Sequence, residues 1–247
     1  MTTLAWGLTA VAFLTSALSG VAGLGGGTIL IAVLYSTGMA PVEAVPLFAA
    51  VQAVSNASRT VAYVRDVEWH AAGWFFLAAV PSTFFLARYA ELADENAVKL
   101  ILAALILATL VPHQAGDDAP LPPRQSFIFA GLLNGSLGMF VGATGLFVGR
   151  LFLRPEWRKE QTIATLALTQ TLGHALRVVA YGVVGFSALA DPWLLVPLCI
   201  AVIAGTWTGK HINKGLDAEQ FTRLFKAILI VLSLKLVYDG VRGFGWI

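Results

Sequence analysis

Long apolar runs follow one another along nearly the whole chain, separated by short polar or glycine-rich breaks. They predict helical segments over residues 4–22, 28–35, 42–64, 70–87 and 97–111, and again over 126–138, 146–153, 161–184, 192–209 and 221–241. A helix needs about 20 apolar residues to cross a bilayer core, so 28–35 and 146–153 are too short to cross alone. Each short piece follows a glycine-rich stretch. The pair it forms with the preceding segment reads as a broken or re-entrant hairpin, or as two tilted crossings. Glycine costs roughly 1 kcal/mol per residue in a helix interior relative to alanine, so Gly23-Leu24-Gly25-Gly26-Gly27 is expected to interrupt the first hairpin. Irregular backbone at that depth is tolerated only where protein or a water-filled cavity covers it.

Polar residues inside these runs are few, and they repeat. Gln52, Asn56, Arg59 and Tyr63 are spaced i, i+4, i+7, i+11, which sets them in one stripe along a helix. Gln170, His174, Arg177 and Tyr181 repeat that spacing 118 residues later. Gly135, Gly138, Gly142, Gly145 and Gly149 make a looser copy of the cluster between Gly20 and Gly27; matching Ser19-Gly20 to Asn134-Gly135 gives an offset of 115. The chain thus divides into a first repeat over 1–112, a linker over 113–125 with Asp117, Asp118, Pro120, Pro122 and Pro123, and a second repeat over 126–247. Together they form one all-α, polytopic membrane domain of two inverted repeats, each of about five helical segments.

Composition agrees with lipid as the main solvent. Hydrophobic residues make up 57% of the chain and charged residues 12%, with a mean hydropathy of +0.77, against roughly 45–50% and about 25% in soluble domains. A formal charge of +2 gives nucleic acid little to bind. The lone Cys199 can form no disulfide within the chain. Residues 4–22 lack the Lys/Arg region of a secretory signal, and the first charged residue is Glu43, so they read as a retained membrane segment.

Each half contributes an odd number of net crossings, which inverts one half relative to the other. Alternation puts Arg65, Arg124, Arg150, Arg154, Arg158, Lys159, Lys210 and Lys214 on one side and mainly Arg88 and Arg242 on the other, with Lys99 at the margin. Positive charge favours the cytoplasmic side, which predicts a multi-pass protein of the cytoplasmic membrane with both termini outside.

Inverted halves that each contain a broken helix are typical of secondary transporters, whose substrate sits near the midplane between the repeats. Helix N-termini at the breaks favour an anion. The candidate substrate-binding residues are Gly25, Gly26, Gly27, Gln52, Asn56 and Arg59 in the first half, and Gly142, Gln170, His174 and Arg177 in the second. Arg59 and Arg177 are expected to neutralise the anion while the amides and His174 orient it. An intramembrane arginine costs roughly 2.5–3.5 kcal/mol to insert, which argues for a functional or paired role. His174 reads either as a proton-coupling group, since histidine titrates near neutral pH, or as a satisfied core residue. Tyr63 and Tyr181 fall near segment ends and read as aromatic-belt residues. Lys235 and Asp239 read as an i, i+4 pair.

The run Gly20-x-x-Gly23-Leu24-Gly25-Gly26-Gly27, its weaker copy Gly135-x-x-Gly138 and the repeated stripe resemble the TauE/SafE family of membrane permeases, in both halves and over nearly the whole chain. The resemblance implies export or uptake of small sulfur- or oxygen-containing anions such as sulfite, sulfoacetate or other organosulfonates. The second half departs from the family form, with Phe140-Val141-Gly142-Ala143-Thr144-Gly145 in place of a compact triple glycine.

The function that follows is secondary active transport of a small organic or inorganic anion by alternating access, coupled to an ion or to protons. Its partners are the small anionic substrate, membrane lipid and a coupling ion. No cofactor or metal is called for, and a homo-oligomer is compatible with the pattern. An anion channel is the alternative reading. An intramembrane enzyme ranks third, because the chain has no His-Glu-x-x-His pair and its four histidines are scattered among different segments.

Overall fold

The computed structural model describes residues 3–22, 26–111, 121–212 and 218–246, and every α or 3-10 element among them is helical. The first half holds α1 (Thr3–Ala22), α2 (Gly26–Ser36), α3 (Pro41–Tyr63), α4 (Trp69–Ala87) and α5 (Glu95–Leu110). The second holds α6 (Pro123–Gly135), α7 (Leu137–Val141), α8 (Gly145–Arg150), α9 (Lys159–Val183), α10 (Pro192–Ile212) and α11 (Ala218–Gly243). Start signals are local. Pro41 and Pro123 open α3 and α6, where a missing N–H costs nothing. Asp94 caps α5 by accepting from the Ala97 N–H at 2.8 Å.

Two boundaries correct the sequence expectation. Residues 126–138 do not form one helix, because α6 ends at Gly135, the chain turns at Ser136, and Gly138 falls inside the short α7. The helix expected over 146–153 shrinks to Gly145–Arg150. At about 1.5 Å per residue, α2 and α8 are roughly 16 and 9 Å long, against about 30 Å for a bilayer core. Neither spans.

The halves are related by a two-fold exchange. With α1 matched to α6–α7, α2 to α8, α3 to α9, α4 to α10 and α5 to α11, the most extensive helix contacts recur with their partners exchanged: α1 packs on α10 and α6 on α4, while α10 packs on α3 and α4 on α9. The mates α3 and α9 pack directly on each other, as do α5 and α11. Both pairs run antiparallel. Thr60 meets Thr171 and Glu68, just past α3, meets Thr165; Gly240 sits on Leu100 and Gly243 on Asn96. Antiparallel contact between mates requires an axis perpendicular to the helices, which is the geometry of an inverted repeat.

Polarity is arranged inside-out relative to a soluble protein. Trp193, Trp207, Ile200, Leu77 and Phe85 face outward, whereas Gln52, Asn56, Gln170, His174 and Arg177 are buried. Continuous apolar outer faces of this kind require a lipid environment. Among the described residues, α4, α9 and the stretch Pro192–Gly209 are long and apolar enough to cross a membrane by length and composition. The chain is an integral, polytopic, all-helical membrane protein. On α11, Lys235 and Asp239 pair at 2.7 Å, as their spacing predicts.

Close helix crossings depend on glycines. A Cβ on Gly131 would lie 2.1 Å from the Phe75 carbonyl oxygen, and one on Gly135 would lie 2.7 Å from that of Ala79. In the symmetry-related contact, Gly205 and Gly209 would press Cβ atoms to 2.2 and 2.1 Å from the carbonyls of Phe13 and Ala17. Both contacts are the small-residue type that lets backbones approach within a membrane. Gly131→Val and Gly205→Val should each lower the melting temperature in detergent, with a cost of about 1–3 kcal/mol or more from overpacking. Gly73→Ala, where nothing lies within 4 Å of the added atom, should leave it unchanged or raise it.

Candidate functional site

The polar stripes of α3 and α9 face each other where the two helices cross, and they line a half-open cavity of about 50 Å³. Gln52, Asn56 and Arg59 line it from α3, and Gln170 and His174 from α9. The hairpins supply the remainder. Gly27 and Thr28 come from the first turn of α2, and Ala143, Gly145 and Leu146 from the turn into α8. No acidic side chain is among the described residues that line it.

Each hairpin meets its stripe in the same way. A Cβ on Gly27 would lie 3.0–3.1 Å from the Gln52 amide, and one on Gly145 would lie 3.6 Å from the Gln170 amide oxygen. These pairs are repeat images, so the counterpart of Gly27 is Gly145. Within α3 the Asn56 amide donates to the Gln52 carbonyl at 2.9 Å. Among the described residues, Gln170 Nε2 is buried and has no hydrogen-bond partner. A buried donor left in that condition costs about 1–3 kcal/mol, which a ligand acceptor would recover.

Arg177 stands behind the cavity wall. Its guanidinium donates to the carbonyls of Gly142 at 2.8 Å and Asn134 at 3.0 Å, and to the Asn134 side-chain oxygen at 3.4 Å. A fourth contact, at 3.0 Å, joins it to His174 Nδ1. Arginine can only donate, so Nδ1 accepts and the neutral ring carries its proton on Nε2. Gly138 leaves space for this arrangement, since a Cβ there would come within 2.2 Å of the guanidinium.

The same break is held by two tyrosines. Tyr181 donates to the Met139 carbonyl at 2.6 Å and Tyr35 to the Phe140 carbonyl at 3.0 Å. Arg177, Tyr181 and Tyr35 thereby satisfy carbonyls that the interrupted helix leaves exposed, as irregular backbone at membrane depth requires. Gly142 ends α7 at φ +81, a conformation that L side chains rarely adopt.

Several positions differ from the sequence expectation. Gly142 offers its carbonyl to Arg177 and does not line the cavity; a Cβ there would meet Ile31 and Phe48. Arg177 is likewise absent from the lining. Gly26 opens α2 and is buried beside the cavity, and Gly25 lies outside the described residues. Tyr181 is fully buried, so the aromatic-belt reading fails for it. Sequence reasoning missed Tyr35 and Asn134 as supports of the break, and Phe48 and Leu146 as cavity walls. Asn134 had a signal, being a polar residue within an apolar run. The others had none.

A family model described as the sulfite exporter TauE/SafE matches residues 8–236, nearly the whole chain. The chain belongs to the TauE/SafE family. No curated protein and no solved structure matches it. Membership makes this TauE/SafE chain a membrane transport protein of the sulfite or anion exporter type. Its cavity lies between the two halves of the chain.

Proposed function

We propose that this chain is a secondary active transporter that moves a small oxyanion of the sulfite class across the cytoplasmic membrane by alternating access. The observation that carries this reading is a half-open cavity at the crossing of α3 and α9. It is lined by two glutamines, an asparagine, a histidine and an arginine, with no carboxylate among the described lining residues. Such a set donates hydrogen bonds and positive charge, and repels a cation.

Arg59 would balance charge, while Gln52, Gln170 and His174 would orient the oxygens. Rocking of one repeat against the other would expose the site to each side in turn. The positive-inside pattern favours termini on the outer side.

Uptake into proteoliposomes holding the purified chain tests the proposal. Saturable sulfite flux at carrier rates is expected, and sulfite should raise the melting temperature, because a ligand that binds the folded state stabilises it. No flux and no shift with any small oxyanion would overturn the reading. Conductance far above carrier rates would select a channel instead.

A further inference from the structure

We propose that the contacts joining the connection between α3 and α4 to the start of α9 form a gate on the basic face, which parts when the cavity opens to that side. The inference rests on the alternating-access reading, and adds which residues hold the site shut from one face.

These side chains tie one half of the chain to the other, beyond the cavity toward the face that holds Arg65, Arg158 and Lys159. Arg158 pairs with Asp66 at 3.0 Å. The Gln161 amide is engaged at both ends: its oxygen accepts from the Arg158 backbone N–H at 2.8 Å, capping α9, and its nitrogen donates to the Glu68 carboxylate. The Glu68 N–H donates to the Thr165 hydroxyl at 3.0 Å. Nearer the cavity, the hydroxyls of Thr60 and Thr171 share a hydrogen bond at 3.0 Å, each next in sequence to a lining residue, Arg59 or Gln170. Beside these contacts Val67 and Ala72 of the first half pack with Ala164 and Leu168 of the second in a small apolar cluster of their own, separate from the main core. The two halves can therefore part here without opening that core.

The repeat-related positions on the opposite face are built differently. At the offset of 118, Arg158 and Asp66 correspond to Ala40 and Val184, Thr165 and Glu68 to Leu47 and Phe186, and Thr171 and Thr60 to Ala53 and Val178. Gln161 has a polar image in Glu43, but the position across from it is again Phe186. The Phe186 N–H turns back to the Tyr181 carbonyl at 2.9 Å, so the image of the bond from Glu68 to Thr165 is not made. Leu47 lies in the main core, and Val184 and Phe186 pack against that core. Packing dictated by the repeat alone would be alike at both ends of the α3 and α9 pair. Instead one end is hydrogen-bonded and the other apolar. Water can replace the partners of a hydrogen-bonded contact when it separates, so its net cost is small, whereas separating apolar surfaces exposes them to water. The polar end is the one that opens and closes at little net cost.

The test uses the full-length chain in proteoliposomes, with Cys199→Ser as the background. Glu68→Cys with Thr165→Cys places two thiols across the gate, at positions whose backbone and side chain already touch. Oxidation of that pair should cut sulfite uptake by at least about tenfold and a reductant should restore it, because a bridge holds the gate shut. Sulfite should still raise the melting temperature of the oxidised protein, since the site stays reachable from the other face. Uptake at the reduced rate in protein shown by mass to be bridged would overturn the gate. A second measurement needs no flux. Ala164→Cys and Ala72→Cys each report from inside the apolar cluster, one from each half, by their rate of reaction with a membrane-impermeant maleimide. Adding Asp66→Ala and Glu68→Ala should raise both rates by about three- to tenfold, the population shift expected from losing one or two hydrogen bonds. Unchanged rates at both reporters would overturn the proposal even if the bridged variant proves inactive when reduced. Maleimide rates that rise as expected in a wild-type background without any anion flux would instead keep the moving contact and remove the transport reading.

Discussion

Arg177→Ala is expected to unfold or severely destabilise the protein, lowering stability by about 3–5 kcal/mol, the usual cost of removing one member of a buried charged network. The side chain is fully buried and ties Asn134, Gly142 and His174 together. Without it the carbonyls of a broken helix lose their donors where lipid and protein offer no replacement. Arg177→Lys should recover only part of the loss, since an ammonium cannot reach the same set of acceptors in one plane. Melting in detergent and hydrogen exchange across 134–142 would measure the effect. Wild-type melting with transport abolished would instead mean that this guanidinium serves the ligand and not the backbone.

For Arg59→Gln a different pattern is expected, with a smaller loss of melting temperature than for Arg177→Ala and sulfite affinity reduced by about 100-fold or more. Arg59 occupies the repeat-related position, but it lines the cavity, so its removal takes charge from the anion site and leaves the second hairpin's support intact. Titrating sulfite against both variants, with melting curves alongside, separates the two roles. Wild-type uptake by Arg59→Gln would refute its place in the site.

That divergence shows where reading residues in order stops being sufficient. The stripe spacing placed Arg59 and Arg177 identically, because helical periodicity reports which face a side chain occupies. It does not report what stands opposite that face. Across from Arg177 the chain turns at Ser136 and ends α7 at Gly142 in a left-handed conformation, which frees carbonyls that capture the guanidinium. Tyr181 was misread for the same reason, since proximity to a segment end says nothing about whether the Met139 carbonyl lies within reach. The half-length of α8 was also hidden, because Leu151, Phe152 and Leu153 continue an apolar run that the backbone leaves as a turn.

Properties that are local and additive could be read without coordinates. Lipid as the solvent, the duplicated stripe and the opposite sense of the two halves all follow from residue type and spacing. Properties that depend on contact between distant segments could not. Folding assigned one arginine to the cavity and the other to the backbone, brought Phe48 and Leu146 beside the amides, and made Gly145 the image of Gly27. The reason is that a buried polar group takes whichever partner the approaching segment presents, and that partner lies a hundred or more residues away in the chain for contacts such as Tyr35 with Phe140.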